Sequence, residues 1–198
     1  MKPKIAIQKI QSLLELPTFT SDEAKKLGVS ASSLAYYVKI GELQRIVRGV
    51  YRGIHAPAIE SFQWEDLMAA IKQTKKGVVC LVSALALYQL TEEIPRQHWI
   101  AIPNSTRHRA DRFVQVIRMR NMNLGKTEIT IGNVTLPIFD RERTIVDAFR
   151  YLSKEIAIKA LKVALTKKNG EKIDMEKLRK YAEALRVNIT SFIMALTT

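Results

Sequence analysis

The apolar residues Ile5, Ile7, Ile10, Leu13, Leu14 and Leu16 recur at the three-to-four spacing of a helix that hides one face, and Pro17 closes it. Thr20 then stands three residues before Glu23, a T-x-x-E box whose two side chains can satisfy the free amide groups at a helix start. The helix it opens is short, because Gly28 supplies the left-handed conformation that ends one. Ser30 caps a third helix that runs to about Ile40 and closes at Gly41. Leu43 to Val47 and Val50 to Ile54 read as strands on either side of Arg48-Gly49, a tight turn. Helix, helix, turn, helix, hairpin is the order of a winged helix-turn-helix. It is assigned to Thr20 to Ile54, with the first helix as its support.

The pattern changes after His55-Ala56-Pro57. Phe62 to Thr74 and Val79 to Leu90 read as helices, the second apolar on most sides and hence buried. His98 to Pro103 and Phe113 to Arg120 read as strands, and Glu128 to Ile131 and Val134 to Phe139 flank Gly132-Asn133 as a hairpin. Arg143 to Leu152, Lys154 to Lys167 and Met175 to Arg186 read as helices, separated by Ser153 and by Asn169-Gly170. The expected fold class is α+β in two domains. Residues 1–55 form the winged helix-turn-helix, and residues 56–198 form a second α+β domain with a small mixed sheet and C-terminal helices.

Composition narrows the functions worth weighing. A chain of 198 residues with 47 % hydrophobic content can bury a core. Its formal charge of +13 calls for a negatively charged partner, nucleic acid first, then an anionic membrane or an acidic protein. Basic residues outnumber acidic ones by 9 to 4 in residues 1–55, 10 to 7 in residues 56–137 and 13 to 8 in residues 138–198. The excess is therefore spread over folded surfaces rather than gathered in a tail. Cys80 is the single cysteine and lies in an apolar stretch, so it reads as a core thiol, with no internal disulfide and no cysteine-based zinc cluster. Neither a signal-peptide core nor a run of 18 apolar residues is present, which makes the cytoplasm the expected location, without membrane attachment.

The second helix of a helix-turn-helix lies in the major groove and presents side chains to base edges. In the helix after Ser30, the spacing of Leu34, Tyr37 and Val38 gives the packed face and leaves Ser32, Ser33, Tyr36 and Lys39 for the DNA. Serine hydroxyls can donate or accept at base edges. Tyr36 can meet a phosphate or a thymine methyl, and Lys39 a phosphate or guanine. Lys25 and Lys26 on the preceding helix suit phosphate contacts. Arg45, Arg48 and Arg52 cluster on and beside the hairpin turn, where an arginine-tipped ribbon can enter a minor groove. Solvated basic surfaces are the alternative for each group taken singly.

Two segments, Phe19-Thr20-Ser21-Asp22-Glu23-Ala24-Lys25-Lys26-Leu27-Gly28-Val29-Ser30 and Gly41-Glu42-Leu43-Gln44-Arg45-Ile46-Val47-Arg48-Gly49-Val50-Tyr51, resemble the N-terminal domain of AbiEi-family antitoxins. Cys80-Leu81-Val82-Ser83-Ala84-Leu85-Ala86-Leu87-Tyr88-Gln89-Leu90-Thr91 and Glu142-Arg143-Thr144-Ile145-Val146-Asp147-Ala148 resemble segments of that family's C-terminal region. The resemblance implies the antitoxin of a type IV toxin–antitoxin pair, with a nucleotidyltransferase-like toxin encoded beside it. It also implies autorepression, the winged domain binding inverted repeats in its own promoter as an oligomer and the C-terminal region supporting neutralisation.

In the second domain Arg107, Arg109, Arg112, Arg118 and Arg120 form a further basic cluster, with Val114, Val116, Arg118 and Arg120 on one strand face. It suits a second DNA surface, a dock for an acidic toxin patch, or a sheet edge guarded by charge. Arg143, Thr144 and Asp147 fall within about one helical turn and suit a polar contact between helix and sheet. Catalytic patterns are missing. His55, His98 and His108 have no i, i+4 partner, no phosphate-cradling G-x-x-x-x-G-K loop occurs, and Glu23-Ala24-Lys25, part of a nuclease motif, falls on a helix. No catalytic residue, metal or cofactor is expected. The rival to the antitoxin is a stand-alone winged-helix regulator whose second domain senses a ligand or dimerises.

Overall fold

The computed structural model describes residues 7–57, 64–74, 76–107, 113–132, 134–167 and 172–197. Ile5, Phe62, His108, Arg109, Arg112, Asn133 and the Asn169-Gly170 helix end lie outside these. The chain divides into two compact units, Met1–Lys75 with Thr130–Val134, and Lys76–Ile129 with Thr135–Thr198.

The first unit runs α1 (Gln11–Leu14), β1 (Phe19–Thr20), α2 (Ser21–Lys26), α3 (Ala31–Lys39), β2 (Leu43–Val47), β3 (Val50–Gly53) and α4 (Glu65–Gln73). Thr20 and Glu23 close the expected capping box: the Glu23 amide donates to Thr20 Oγ1 at 3.2 Å and the Thr20 amide to Glu23 Oε2 at 2.6 Å. Both helix ends of the helix-turn-helix pair close on glycines in the left-handed region, Gly28 at φ +77° and Gly41 at φ +81°. At each, the next residue's amide reaches back five positions, Val29 to the Ala24 carbonyl and Glu42 to that of Tyr37, both at 3.0 Å. A side chain at either glycine would strain the turn that aims α3. The core gathers Ile10, Phe19, Ala24, Val29, Leu34, Tyr37, Leu43 and Tyr51, with Phe19 stacked on Tyr51.

Two features depart from the sequence pattern. Phe19–Thr20 forms a short strand that pairs antiparallel with β3, giving a three-stranded sheet of order β1-β3-β2. Two residues are too few for a period-two signal, so only the partner strand defines β1. The helix expected within Phe62 to Thr74 belongs with the first unit, not the second domain. It packs on β1 and β3, ties Arg52 to Glu65 and donates from Lys72 Nζ to the Thr18 carbonyl.

The remaining elements are β4 (Val78–Val79), α5 (Leu81–Leu87), β5 (His98–Pro103), β6 (Val114–Met119), β7 (Lys126–Ile131), β8 (Val134–Phe139), α6 (Arg141–Tyr151), α7 (Lys154–Thr166), α8 (Met175–Leu185) and α9 (Thr190–Thr197), all in the second unit except the facing ends of β7 and β8 within Thr130–Val134. The sheet order is β6-β5-β4-β8-β7. It is mixed, since β4 runs antiparallel to β5 and parallel to β8, while β5 and β6 are parallel. The fold class is α+β, as the pattern predicts. The helix expected at Val79 instead begins at Leu81, because Val78 and Val79 are drawn into the sheet between β5 and β8. Cys80 is fully buried, and that burial pushes its thiol well above the usual range.

Arg143 lies 1 % exposed on α6, and its Nε donates to Asp147 Oδ2 at 2.7 Å. Its Nη1 donates to the carbonyls of Asn121 and Leu124, both at 3.0 Å, and the guanidinium lies 4.6 Å from the Phe139 ring centre. Thr144 Oγ1 donates to the Phe139 carbonyl at 3.1 Å. The Arg143, Thr144 and Asp147 cluster is therefore a buried structural joint. Burial raises the Asp147 carboxyl above its ordinary pKa, while the adjacent Arg143 pulls it down. Arg143→Met, which strands Asp147 without its partner, is expected to destabilise the chain by about 3–5 kcal/mol in denaturant unfolding. Lys159→Ala, which breaks only the exposed pair with Glu155, leaves the midpoint unchanged. Equal effects would mean that the joint carries no more weight than a surface pair.

Candidate nucleic-acid interface

Burial of Leu34 and Tyr37, with Val38 half-buried, fixes the orientation of α3. Ser32, Ala35, Tyr36 and Lys39, at positions i, i+3, i+4 and i+7, form one exposed stripe, and Ala31 at the helix start is exposed as well. Tyr36 is 44 % exposed and meets the buried Tyr37 edge-on, ring centres 5.7 Å apart. Ser33 is only half-exposed. Its amide and its hydroxyl both engage Ser30 Oγ, at 3.2 and 2.9 Å, so it serves the cap before it serves any ligand. Ser32 Oγ also lies 2.8 Å from Ser30 Oγ. Ala35, by contrast, belongs to the exposed stripe and was not singled out by the sequence pattern. Counting three back from Val38 or three on from Ser32 finds it, but an alanine carries no chemistry that draws attention.

The other cations sort into two sets. Lys25, Lys26, Lys39, Arg45 and Arg48 are exposed. Among the described residues no carboxylate pairs with them. Arg45 pairs with Tyr51 across the hairpin and lies two residues from Leu43, both core residues, which puts it on the helix side of the sheet, midway along the edge strand β2. Arg48 sits at the turn, whose backbone is held by the Ser21 amide donating to the Gly49 carbonyl at 2.8 Å and by Gln73 Nε2 donating to the Arg48 carbonyl at 3.2 Å. The wing is therefore braced at its tip, with the Arg48 side chain left outward.

Arg52 stands apart. Its register partner is Gln44, so it projects from the opposite sheet face, where α4 lies. There Nη1 contacts Glu65 Oε1 at 2.5 Å and Nη2 donates to the Pro57 carbonyl at 3.2 Å. A sequence-local reading could not foresee this, because Glu65 is brought in by a helix assigned there to another domain.

In the second unit β6 is an edge strand and ends at Met119, so Arg120 lies beyond it rather than on its face. Arg118 Nη1 donates to the carbonyls of Asn104 and Thr106 at 3.1 and 2.8 Å, pinning that loop. Arg107 and Arg120 are exposed. Among the described residues no group of three or more His, Cys, Asp or Glu side chains could hold a metal ion. No helix there is long and apolar enough to cross a membrane.

Three helices, a three-stranded sheet of order β1-β3-β2 and a basic hairpin define a winged helix-turn-helix module. Residues 8–52, which span this module, match the family model described as a transcriptional regulator, AbiEi antitoxin. The resembling segments around Cys80 and Glu142 lie outside the matched span. No curated protein matches the chain. In structure it is similar to the RV2827C protein from Mycobacterium tuberculosis, with a TM-score of 0.59 at 14 % identity, covering 90 % of this chain and 71 % of that one. That likeness is one of fold.

The two sets of arginines predict different salt behaviour. Arg48→Ala is expected to reduce the slope of log affinity against log salt by about 0.9 in duplex titrations, one released phosphate contact. Arg52→Ala leaves the slope unchanged, because its charge is already neutralised by Glu65. A loss of slope in the second variant but not the first would reverse the assignment of the wing.

Proposed function

We propose that this protein is an autorepressing antitoxin: it binds inverted repeats in its own promoter through the winged module and counteracts a nucleotidyltransferase-like toxin encoded beside it. The observation that carries the DNA-binding half is the set of five exposed cations, Lys25, Lys26, Lys39, Arg45 and Arg48, left without carboxylate partners on the helix-turn-helix and wing. Such charges gain little from folding and much from a phosphate backbone, where each contact releases a condensed counterion. The helix-turn-helix lysines position the module and Arg48 extends the contact from the wing tip, while α3 presents its stripe to the major groove. The antitoxin half is supported by the family match over residues 8–52 and by the chain's resemblance to AbiEi C-terminal segments. The second unit is the part assigned to neutralisation and to oligomerisation on the operator. Palindromic half-sites need two winged modules spaced by about one helical turn of DNA or a multiple.

The two halves separate in one experiment. A reporter driven by the DNA upstream of this gene is expected to be repressed by the full chain and derepressed by the Lys39→Ala, Arg48→Ala double variant. The same variant, co-expressed with the neighbouring toxin, is expected to restore growth as well as the native chain does. If the reporter is unaffected by the native chain, autorepression is wrong. If growth is not restored by either form, the antitoxin assignment is wrong.

A further inference from the structure

The chemistry on the exposed stripe of α3 is narrow. Between Ala31 and Ile40 there is no arginine, asparagine or glutamine, the forked side chains that make paired hydrogen bonds to guanine or adenine. The hydroxyl of Ser32 is drawn into a cluster with Ser30 and Ser33 at the cap. Lys39 is a single point charge on a flexible stem. What remains at the centre of the stripe is apolar: the Ala35 methyl and the Tyr36 ring, 44 % exposed and held edge-on by the buried Tyr37. The apolar feature that distinguishes one base pair from another in the major groove is the thymine C5 methyl group.

We propose that Ala35 and Tyr36 form a methyl-reading patch, so that this protein recognises thymine-bearing operators through apolar contact in the major groove rather than through paired hydrogen bonds to purines. The inference rests on the DNA-binding reading above. Tyr36 supplies area at little entropic cost, because its ring is already restrained on one side by Tyr37 and has few rotatable bonds. Ala35 keeps the helix surface low enough beside it for the methyl group to approach. Lys39, one turn further along the same stripe, holds the helix to the flanking phosphates.

The test uses the full chain and a duplex enriched by it from a random-sequence library. That duplex is resynthesised with deoxyuridine at every thymine, which removes the methyl groups and leaves base pairing intact. Affinity is expected to fall about fourfold for each contacted methyl. Tyr36→Ala is expected to bind the two duplexes equally, and Tyr36→Phe to keep the difference. Equal affinity of the native chain for both duplexes overturns methyl reading while leaving DNA binding in place. A thymine preference that persists in Tyr36→Ala also overturns it, since another element then reads the methyl. A library from which no duplex is enriched overturns both this inference and the function on which it rests.

Discussion

Leu34 and Tyr37 are packed against the same core as Phe19, Leu43 and Tyr51, and this contact decides what the N-terminal module can do. A helix of nine residues has no preferred orientation of its own. Once one face is buried, the opposite stripe is fixed to within a side chain: Ser32, Ala35, Tyr36 and Lys39 meet solvent because Leu34 and Tyr37 do not. The glycine closures at Gly28 and Gly41 bound this helix at both sides, so its position follows from backbone geometry as well as from packing. Loss of the core contact would free the helix to turn and take the exposed stripe with it.

Charge is distributed with equal consequence. The net +13 of the chain implies an anionic partner, and the structure shows which cations are already held in contacts of their own. Arg143 is buried in a joint with Asp147 and backbone carbonyls. Arg52 braces the sheet against α4 through Glu65, and Arg118 fastens a loop. Lys25, Lys26, Lys39, Arg45 and Arg48 have no such employment among the described residues, and all five lie on the helix-turn-helix or its hairpin.

Local signals were legible where the physics is local. The capping box at Thr20 and Glu23, the glycine-closed turns, the Arg48-Gly49 hairpin and the strand pattern of the second unit all depend on residues a few positions apart, and each can be read along the chain. What could not be read depends on distant partners. The strand Phe19–Thr20 exists only through β3, Val78 and Val79 became strand only because β5 and β8 flank them, and the pairing of Arg52 required Glu65, thirteen residues away. On α3 the pattern placed Ser32, Tyr36 and Lys39 on the exposed face, where they lie. It weighed Ser33 by its hydroxyl, which the cap occupies, and passed over Ala35, which offers only a methyl group.

The central claim is that the face carrying α2, α3 and the wing meets duplex DNA. Lysine acetylation of the full chain, read residue by residue by mass spectrometry with and without a library-enriched duplex, tests it most directly. Lys25, Lys26 and Lys39 are predicted to lose reactivity on binding, while Lys159, on α7 and paired with Glu155, keeps its own. Unchanged reactivity at the three helix-turn-helix lysines in a DNA-bound sample would contradict the account.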